Sequence, residues 1–349
     1  MVNRAANTTR YCLLASQLFD TNAAPLAEGV MSCAPSTPAG AFATDYYVFN
    51  VSTAAVQVVF EMFPQTNASA DLFVSYGPCF PDFATFQAGP TNYPYSSLQP
   101  SNRMESVCVT TNSAPVALTN GDWFVVVRRQ GDYCIRATQL LSNDITVLAN
   151  GVQVCNTVGT NGPGYAGIHF YRFPVSSNAV QAAFEVSSTN GNVDAYVQYG
   201  LCLTNFTTHL GAVTNYPYLS TNIFTNTALV FYPYASTNLD TNTETICVVT
   251  NSLPVPLQGG DWYLAVVNRD TNNRPVDYCV RVLEVLDTEI TDLAHRAPIG
   301  ALTLEPTNGL AGVGVDYYRY RVATNAIQIN VELVFLTGNA DLYSQQGLC

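Results

Sequence analysis

The chain has 349 residues, of which only 11% are charged, and its formal net charge is −12. All thirteen basic residues are arginine, and they form no cluster of positive charge, so the sequence predicts no nucleic-acid partner. No run of 18 apolar residues could span a membrane, and the first twenty residues lack the continuous apolar stretch of a signal peptide.

Taken in chain order, the sequence repeats itself. It starts with RYCLLASQLF from Arg10, which matches the end of a longer motif found further on. That motif occurs in full twice, running from DYYVFNV at Asp45 to DYCIRATQLL, and from HFYRFPV at His169 to DYCVRVLEVL. Its first half then occurs once more, between Asp316 and Cys349. The repeat predicts four parts, namely a terminal strand with its linker in 1–33, repeats in 34–155 and 156–299, and the first half of a further repeat in 300–349.

Each repeat is predicted to consist of short β-strands. Segments such as VQVVFEM, ADLFVSY, SVCVTT and DWFVVVRR are rich in Val, Phe and Tyr, and Asn, Gly, Pro and Thr separate them. The segments LLSNDITVL and LEVLDTEITDL could form one helical turn each. Many short strands per repeat predict an all-β fold of tandem antiparallel β-sandwich domains, jelly-roll-like in type.

These residues resemble a known family. The Tyr-rich opening strand, the central ADLF or ADLY, the GDWFVVV strand and the closing YCIRA strand are similar to the bacterial pre-peptidase C-terminal domain. The resemblance implies a jelly-roll-like sandwich on secreted proteins, often in tandem, and it transfers no catalytic residue. The cysteines and the TNYPY insertions at Thr91 and Thr214 depart from the family pattern.

The cysteine spacing predicts four disulfides and an oxidising compartment. Two intervals recur, one from Tyr-Cys to the next linker cysteine and one from YGxC to VCV or ICV. They predict the pairs Cys12–Cys33, Cys134–Cys155, Cys79–Cys108 and Cys202–Cys247. Cys279 and Cys349 are left unassigned, and Cys349 is expected to bond a cysteine beyond the half repeat. That half repeat is expected to be completed by further chain or by a neighbouring subunit.

Four Asn-x-Ser/Thr sequons predict glycosylation, at Asn7, Asn50, Asn67 and Asn205. We expect at least two of them to carry sugar, because they fall in predicted turns or at strand ends. Sugar would keep a surface with so few charges soluble.

Other residues that could bind a ligand have structural interpretations. Asp71, Asp194 and Asp341 recur in the ADLF-type motif and suggest calcium, but no second carboxylate recurs with them, so we expect them to cap turns. Trp123 and Trp262 could form a sugar platform, but we expect them to anchor a core. No catalytic or metal-binding motif occurs, so the sequence predicts neither enzyme activity nor a cofactor.

The sequence therefore predicts a structural subunit of an extracellular or cell-surface fibre or appendage, glycosylated and built from tandem sandwiches. Its expected partners are other copies or neighbouring repeats. The alternatives are a secreted module that binds a carbohydrate or a matrix, and an accessory region of a secreted hydrolase. Filaments in micrographs would favour the first.

Overall fold

The computed structural model describes residues 23–34, 43–64, 69–77, 94–98, 104–161, 165–203, 233–239, 241–300, 315–334 and 341–348. Across these residues the chain is all-β, as predicted, with two compact units, Met1–Gln139 and Leu140–Cys349. The strands named in the two full repeats form where expected, whereas the matching segment AIQINVE of the half repeat, from Ala326, forms none.

The first unit is a sandwich of two sheets. One sheet has the strand order β1 (Ala23–Pro25), β3 (Ala43–Val51), β8 (Gly121–Gln130), β5 (Ser69–Tyr76) and β6 (Tyr95–Ser97). The other has the order β2 (Ser32–Cys33), β9 (Tyr133–Leu141), β4 (Ala55–Pro64) and β7 (Glu105–Thr110).

The second unit repeats this topology strand for strand. Its larger sheet runs β10 (Ile145–Val147), β12 (Ile168–Val175), β17 (Gly260–Asn268), β14 (Val193–Tyr199) and β15 (Tyr234–Ser236). Its smaller sheet runs β11 (Val154–Val158), β18 (Val276–Leu286), β13 (Ala179–Ser188) and β16 (Glu244–Val249). A third pair, β19 (Ile290–Leu293) and β20 (Tyr317–Tyr320), begins the pattern again.

The first strand of each repeat lies parallel to its neighbour, which an antiparallel prediction does not include. Ala23 is paired with Tyr46, Ile145 with Phe170, and Ile290 with Tyr317. These three pairs occupy the same position in the repeat, so the register is the same in all three.

This pairing moves the domain boundaries. The segments that carry β1–β2 and β10–β11 belong to the sandwich that follows them, whereas the predicted boundaries at 33/34 and 155/156 leave them with the preceding part. The reason is hydrogen bonding. Each of these short strands is the edge strand of one of the two sheets in the sandwich that follows it. A three-residue 3-10 turn precedes each of two opening strands. Ser142–Asp144 precedes β10, and Asp287–Glu289 precedes β19.

The core of each sandwich is centred on the tryptophan of the Gly-Asp-Trp motif. Trp123 and Trp262 have no exposed surface, and each donates its indole N–H to a backbone carbonyl four residues earlier, at 2.8 and 2.9 Å. The glycine of the motif has a φ of 109° at Gly121 and 125° at Gly260, a conformation that glycine favours. At Gly260 a Cβ would lie 2.9 Å from the hydroxyl of Tyr199.

Candidate functional site

The residues that hold each sandwich together are concentrated on its closing strand. β9 contains Tyr133-Cys134-Ile135-Arg136, and β18 contains the equivalent Tyr-Cys-Val-Arg from Tyr278. Because side chains alternate across a strand, the tyrosine points into the core, while the cysteine and arginine lie on the opposite face of the sheet. The tyrosine, the cysteine and the arginine of the motif contact residues on three different strands.

The cysteine of the motif bonds the leading edge strand of the same sandwich. The Cys33–Cys134 bond joins β2 to β9 at an S–S distance of 1.97 Å, and the Cys155–Cys279 bond joins β11 to β18 at 2.00 Å. Both bonds link residues directly opposite each other in the register. They enclose sequence separations of 101 and 124, for which the chain-entropy model gives about 4 to 5 kcal/mol each.

The predicted pairs Cys12–Cys33 and Cys134–Cys155 are therefore wrong. Cys33 and Cys134 bond each other, and Cys155 bonds Cys279, which the prediction left unassigned. The equal intervals reflect the period of the repeat. Cys155 follows the closing strand β9 in sequence but is paired with the closing strand of the next sandwich, β18. Cys33 is likewise paired with the closing strand that comes after it, β9.

Of the other predicted disulfide cysteines, Cys108, Cys202 and Cys247 are disulfide-bonded. The pairing of Cys202 with Cys247 stays a prediction. Cys12, Cys79 and Cys349 lie outside the described residues.

The tyrosine of the motif connects the two sheets of the first sandwich. The Tyr47 hydroxyl on β3 lies 2.7 Å from that of Tyr133 on β9, and Tyr133 donates to Asp45 Oδ2 at 2.9 Å. Since Tyr133 has one proton, Tyr47 is the donor to Tyr133. Arg129 Nε also donates to Asp45 Oδ2, at 2.5 Å. Burial raises the pKa of Tyr133, so its hydroxyl keeps this proton.

In the second sandwich a histidine takes the place of the aspartate. Tyr171 and Tyr278 hydroxyls lie 2.5 Å apart, and Tyr278 lies 2.7 Å from His169 Nδ1. Asn268 stands where the first sandwich has Arg129. Both members of the Asp45–Arg129 ion pair are therefore replaced in the second sandwich, by His169 and Asn268. Burial lowers the pKa of His169, which favours the neutral imidazole.

The arginine of the motif pairs with a glutamate on the neighbouring strand. Arg136 Nε lies 3.1 Å from Glu61 Oε2, and Arg281 Nε lies 2.9 Å from Glu185 Oε2. The first pair is buried, with side chains 4% and 2% exposed, whereas the second is 25% and 30% exposed. Burial raises the pKa of Glu61, and Arg136 opposes that rise.

Of the recurring aspartates, Asp194 does not cap a turn, which corrects that expectation for this residue. The segments that precede Asp71 and Asp341 lie outside the described residues, so turn capping by these two stays a prediction. Asp194 on β14 accepts Arg269 Nε at 2.6 Å and the Tyr196 hydroxyl at 2.8 Å. Asp71 on β5 lies opposite Arg128, and burial raises the pKa of Asp71 while Arg128 opposes the rise. A sequence signal for these pairs exists, since arginine stands near the end of both Gly-Asp-Trp segments, at Arg128 and Arg129 in the first copy and at Arg269 in the second. Asp341 is exposed.

Of the four sequons, only Asn50 lies among the described residues. Its side chain is exposed near the end of β3, and Nδ2 donates to Asp122 Oδ1 at 2.6 Å. Asn7, Asn67 and Asn205 lie outside the described residues, so their glycosylation stays a prediction.

Among the described residues, no group of three or more His, Cys, Asp or Glu residues could hold a metal ion. Among those residues no helix is long and apolar enough to cross a membrane. The buried positions of Trp123 and Trp262 remove both as sugar-stacking platforms.

Each closing strand leads into the next repeat through the same short joint, defined here as Ser142–Asp144 and Asp287–Glu289. Asp144 Oδ2 accepts the backbone N–H of Leu141 at 3.1 Å. In the second joint Glu289 Oε2 accepts the N–H of Leu286 at 2.9 Å. The last residue of each closing strand is therefore held by the last residue of the joint.

Comparisons with known proteins give no family. No protein-family model matches the sequence, and no curated protein matches it. Among solved structures, the CUB1-EGF-CUB2 domain of human MASP-1/3 is 7% identical over 72% of this chain and 98% of that chain, with a TM-score of 0.19. The structure of the Macrobrachium rosenbergii nodavirus is 8% identical over 81% and 98%, with a TM-score of 0.13. Both TM-scores are low, so neither similarity indicates a function for this chain.

Proposed function

We propose that this chain is a structural, non-catalytic subunit of an extracellular or cell-surface fibre, glycosylated and built from tandem β-sandwiches. The observation that carries the proposal is the repeated joint. In both copies three residues of 3-10 turn connect a closing strand to the next opening strand, and the same carboxylate-to-backbone hydrogen bond holds them. A flexible linker would serve independent binding modules, whereas short joints held by equivalent hydrogen bonds suit a regular array.

Three further features support an extracellular site. The described disulfides would persist in an oxidising compartment. Lysine is absent and few residues are charged, so attached sugar would contribute to solubility. Asn50 offers an exposed acceptor amide for that sugar. The relation to the bacterial pre-peptidase C-terminal domain is part of the same proposal.

Electron microscopy of native material tests the fibre. We expect filaments with a regular axial repeat of one or two sandwiches. A variant with Asp144→Ala and Glu289→Ala should form filaments that bend more, because both joints lose their carboxylate. Isolated particles at all concentrations, together with binding to an immobilised polysaccharide, would instead support the secreted binding module.

A further inference from the structure

The corner at the end of each opening strand, defined here as residues 26–33, 148–155 and 293–300, is built alike in three copies. The three sequences are LAEGVMSC, LANGVQVC and LAHRAPIG. In each of them the backbone N–H of the fifth residue donates to the carbonyl of the second, at 3.2, 3.2 and 3.3 Å. The fourth residue has a positive φ in all three, of 67°, 72° and 57°. The three corners are therefore equivalent positions of the repeat.

The third corner differs from the other two at two residues that matter for its stability. Its fourth residue is Arg296, where the other corners have Gly29 and Gly151. A positive φ is unfavourable for arginine and ordinary for glycine, so Arg296 weakens the folded form of this corner. Its eighth residue is Gly300, where the other corners have Cys33 and Cys155. Because glycine has no sulfur, no disulfide can hold the third corner, whatever strand is paired with it.

The first two corners are fastened to their closing strands. The backbone N–H of Gly29 donates to Ala137 on β9, and that of Gly151 donates to Val282 on β18, each at 2.8 Å. The disulfide to the same closing strand follows four residues later. Proteolysis acts on the locally opened chain, so a bond that keeps a corner closed also protects it from cleavage.

Exposure is a property of the corner in every copy. Its second, third and fifth residues are exposed in both complete sandwiches, and residues 294–300 are exposed as well. Among the described residues, Arg296 takes part in no ion pair. Exposed turns of this kind are the usual positions at which folded proteins are cleaved. The third corner therefore offers an accessible arginine on a segment that no disulfide holds.

We infer that the Arg296–Ala297 peptide bond is a processing site for a protease of trypsin-like specificity, which cleaves after arginine. Water adds to the carbonyl carbon of Arg296 and the C–N bond breaks, so that Arg296 gains a carboxylate and Ala297 a free amine. The cut separates the two sandwiches that carry disulfide-bonded corners from the segment after them. The inference goes beyond the proposed function and does not depend on filament formation.

Limited digestion of the full 349-residue chain with trypsin tests the accessibility of this bond. We expect the first fragments to be residues 1–296 and 297–349, with cleavage at least about tenfold slower after every other arginine of the described residues. Arg296→Gly, which restores the residue of the other corners, should remove this first cut. Arg321→Gln, at a second exposed arginine, should leave it unchanged. A first cut elsewhere, with the Arg296–Ala297 bond intact, would overturn the inference.

An arginine placed in the second corner separates the effect of the disulfide from that of exposure. Gly151→Arg should be cut at least about tenfold more slowly than Arg296, because the Cys155–Cys279 bond holds that corner. Gly151→Arg combined with Cys155→Ser and Cys279→Ser should be cut at a rate near that of Arg296. Circular dichroism before digestion checks that both variants are folded. Equal rates in the two would show that the disulfide gives no protection, which contradicts the inference.

Native material shows whether the bond is cut where the protein is made, and this measurement needs no variant. Its amines are blocked first, and it is then digested with a protease that cleaves after glutamate. We expect the peptide of residues 297–305 with a blocked amine at Ala297, since the next glutamate is Glu305. Recovery of the intact peptide of residues 290–305 alone would overturn the inference.

Discussion

At the scale of single residues, the two sandwiches use different chemistry at equivalent positions. In the first sandwich the closing tyrosine donates to Asp45, which also accepts from Arg129. In the second sandwich the closing tyrosine lies beside His169. Both arrangements satisfy the buried hydroxyl of the closing tyrosine, but only the second contains a group that titrates near neutral pH. The same fold is therefore expected to respond differently to acid in its two copies.

We expect the second sandwich to lose stability as the pH falls below about 6.5, the ordinary value for histidine. Burial lowers the pKa of His169, so the unfolded chain binds the proton more readily, and the stabilisation present above that pH is lost below it. Calorimetry between about pH 7.5 and 5.5 would measure the shift of the transition.

Two variants make this prediction specific. His169→Gln keeps an acceptor but does not titrate, so its melting temperature should vary less with pH. His295→Gln, at an exposed histidine, should behave as the parent chain. A parent melting temperature that is constant over this range would contradict the prediction.

The two Glu–Arg pairs are expected to differ in their effect on stability. Arg136→Ala leaves the buried Glu61 without its partner and should cost about 3 to 5 kcal/mol. Arg281→Ala breaks a pair that solvent screens, and should cost about 1 kcal/mol or less. Urea unfolding of both variants measures the contrast, and similar losses in the two would show that burial does not set the cost.

Asn50 should carry a glycan in native material. The amide is exposed, and its nitrogen keeps one hydrogen after attachment of sugar, so the hydrogen bond to Asp122 survives. Peptide mass spectrometry after deglycosylation should show conversion of Asn50 to aspartate, and Asn50→Gln should abolish it. Unmodified Asn50 in every peptide would disprove this assignment.

At the scale of elements, the strands could be predicted because alternation and β-branched residues are local signals. The partners of those strands could not. Cys33 lies 21 residues after Cys12, yet it bonds Cys134 at a separation of 101, since an edge strand is placed by tertiary pairing. The ion pair of Asp194 on β14 with Arg269, which follows β17, was missed for the same reason, because the two residues lie 75 positions apart in sequence.

Removal of one disulfide should destabilise only its own sandwich. A variant with Cys155→Ser and Cys279→Ser should lose about 2 to 5 kcal/mol in the second transition and leave the first unchanged. Guanidinium unfolding followed by tyrosine and tryptophan fluorescence would resolve the two. Non-reducing peptide mapping of the parent should recover Cys33–Cys134 and Cys155–Cys279, and any Cys134–Cys155 peptide would contradict the structure.

At the scale of the whole molecule, internal duplication is the feature that sequence reasoning identified most completely. The half repeat at Asp316 was recognised from its motifs, and β19 and β20 have the register of the complete copies. Among the described residues the segment AIQINVE forms no strand and no other strand is paired with it, in keeping with the need of a strand for hydrogen-bonded neighbours. The partners of β1, β2, β10 and β11 could not be predicted. The sequence of these short strands does not indicate whether they join the preceding or the following sandwich.

The disulfide that joins β2 to β9 in the first sandwich, and β11 to β18 in the second, also determines how the chain carries tension. A pull along the chain enters the second sandwich near Cys155 and leaves it near Cys279, so the covalent bond bypasses the residues between them. Those residues, which would extend by roughly 400 Å, stay folded under load until the bond is reduced. Single-molecule pulling should therefore show short extensions in oxidising buffer and long ones after addition of a reductant. A fibre of such units would resist stretching through its sulfur bonds and would yield where the redox environment changes.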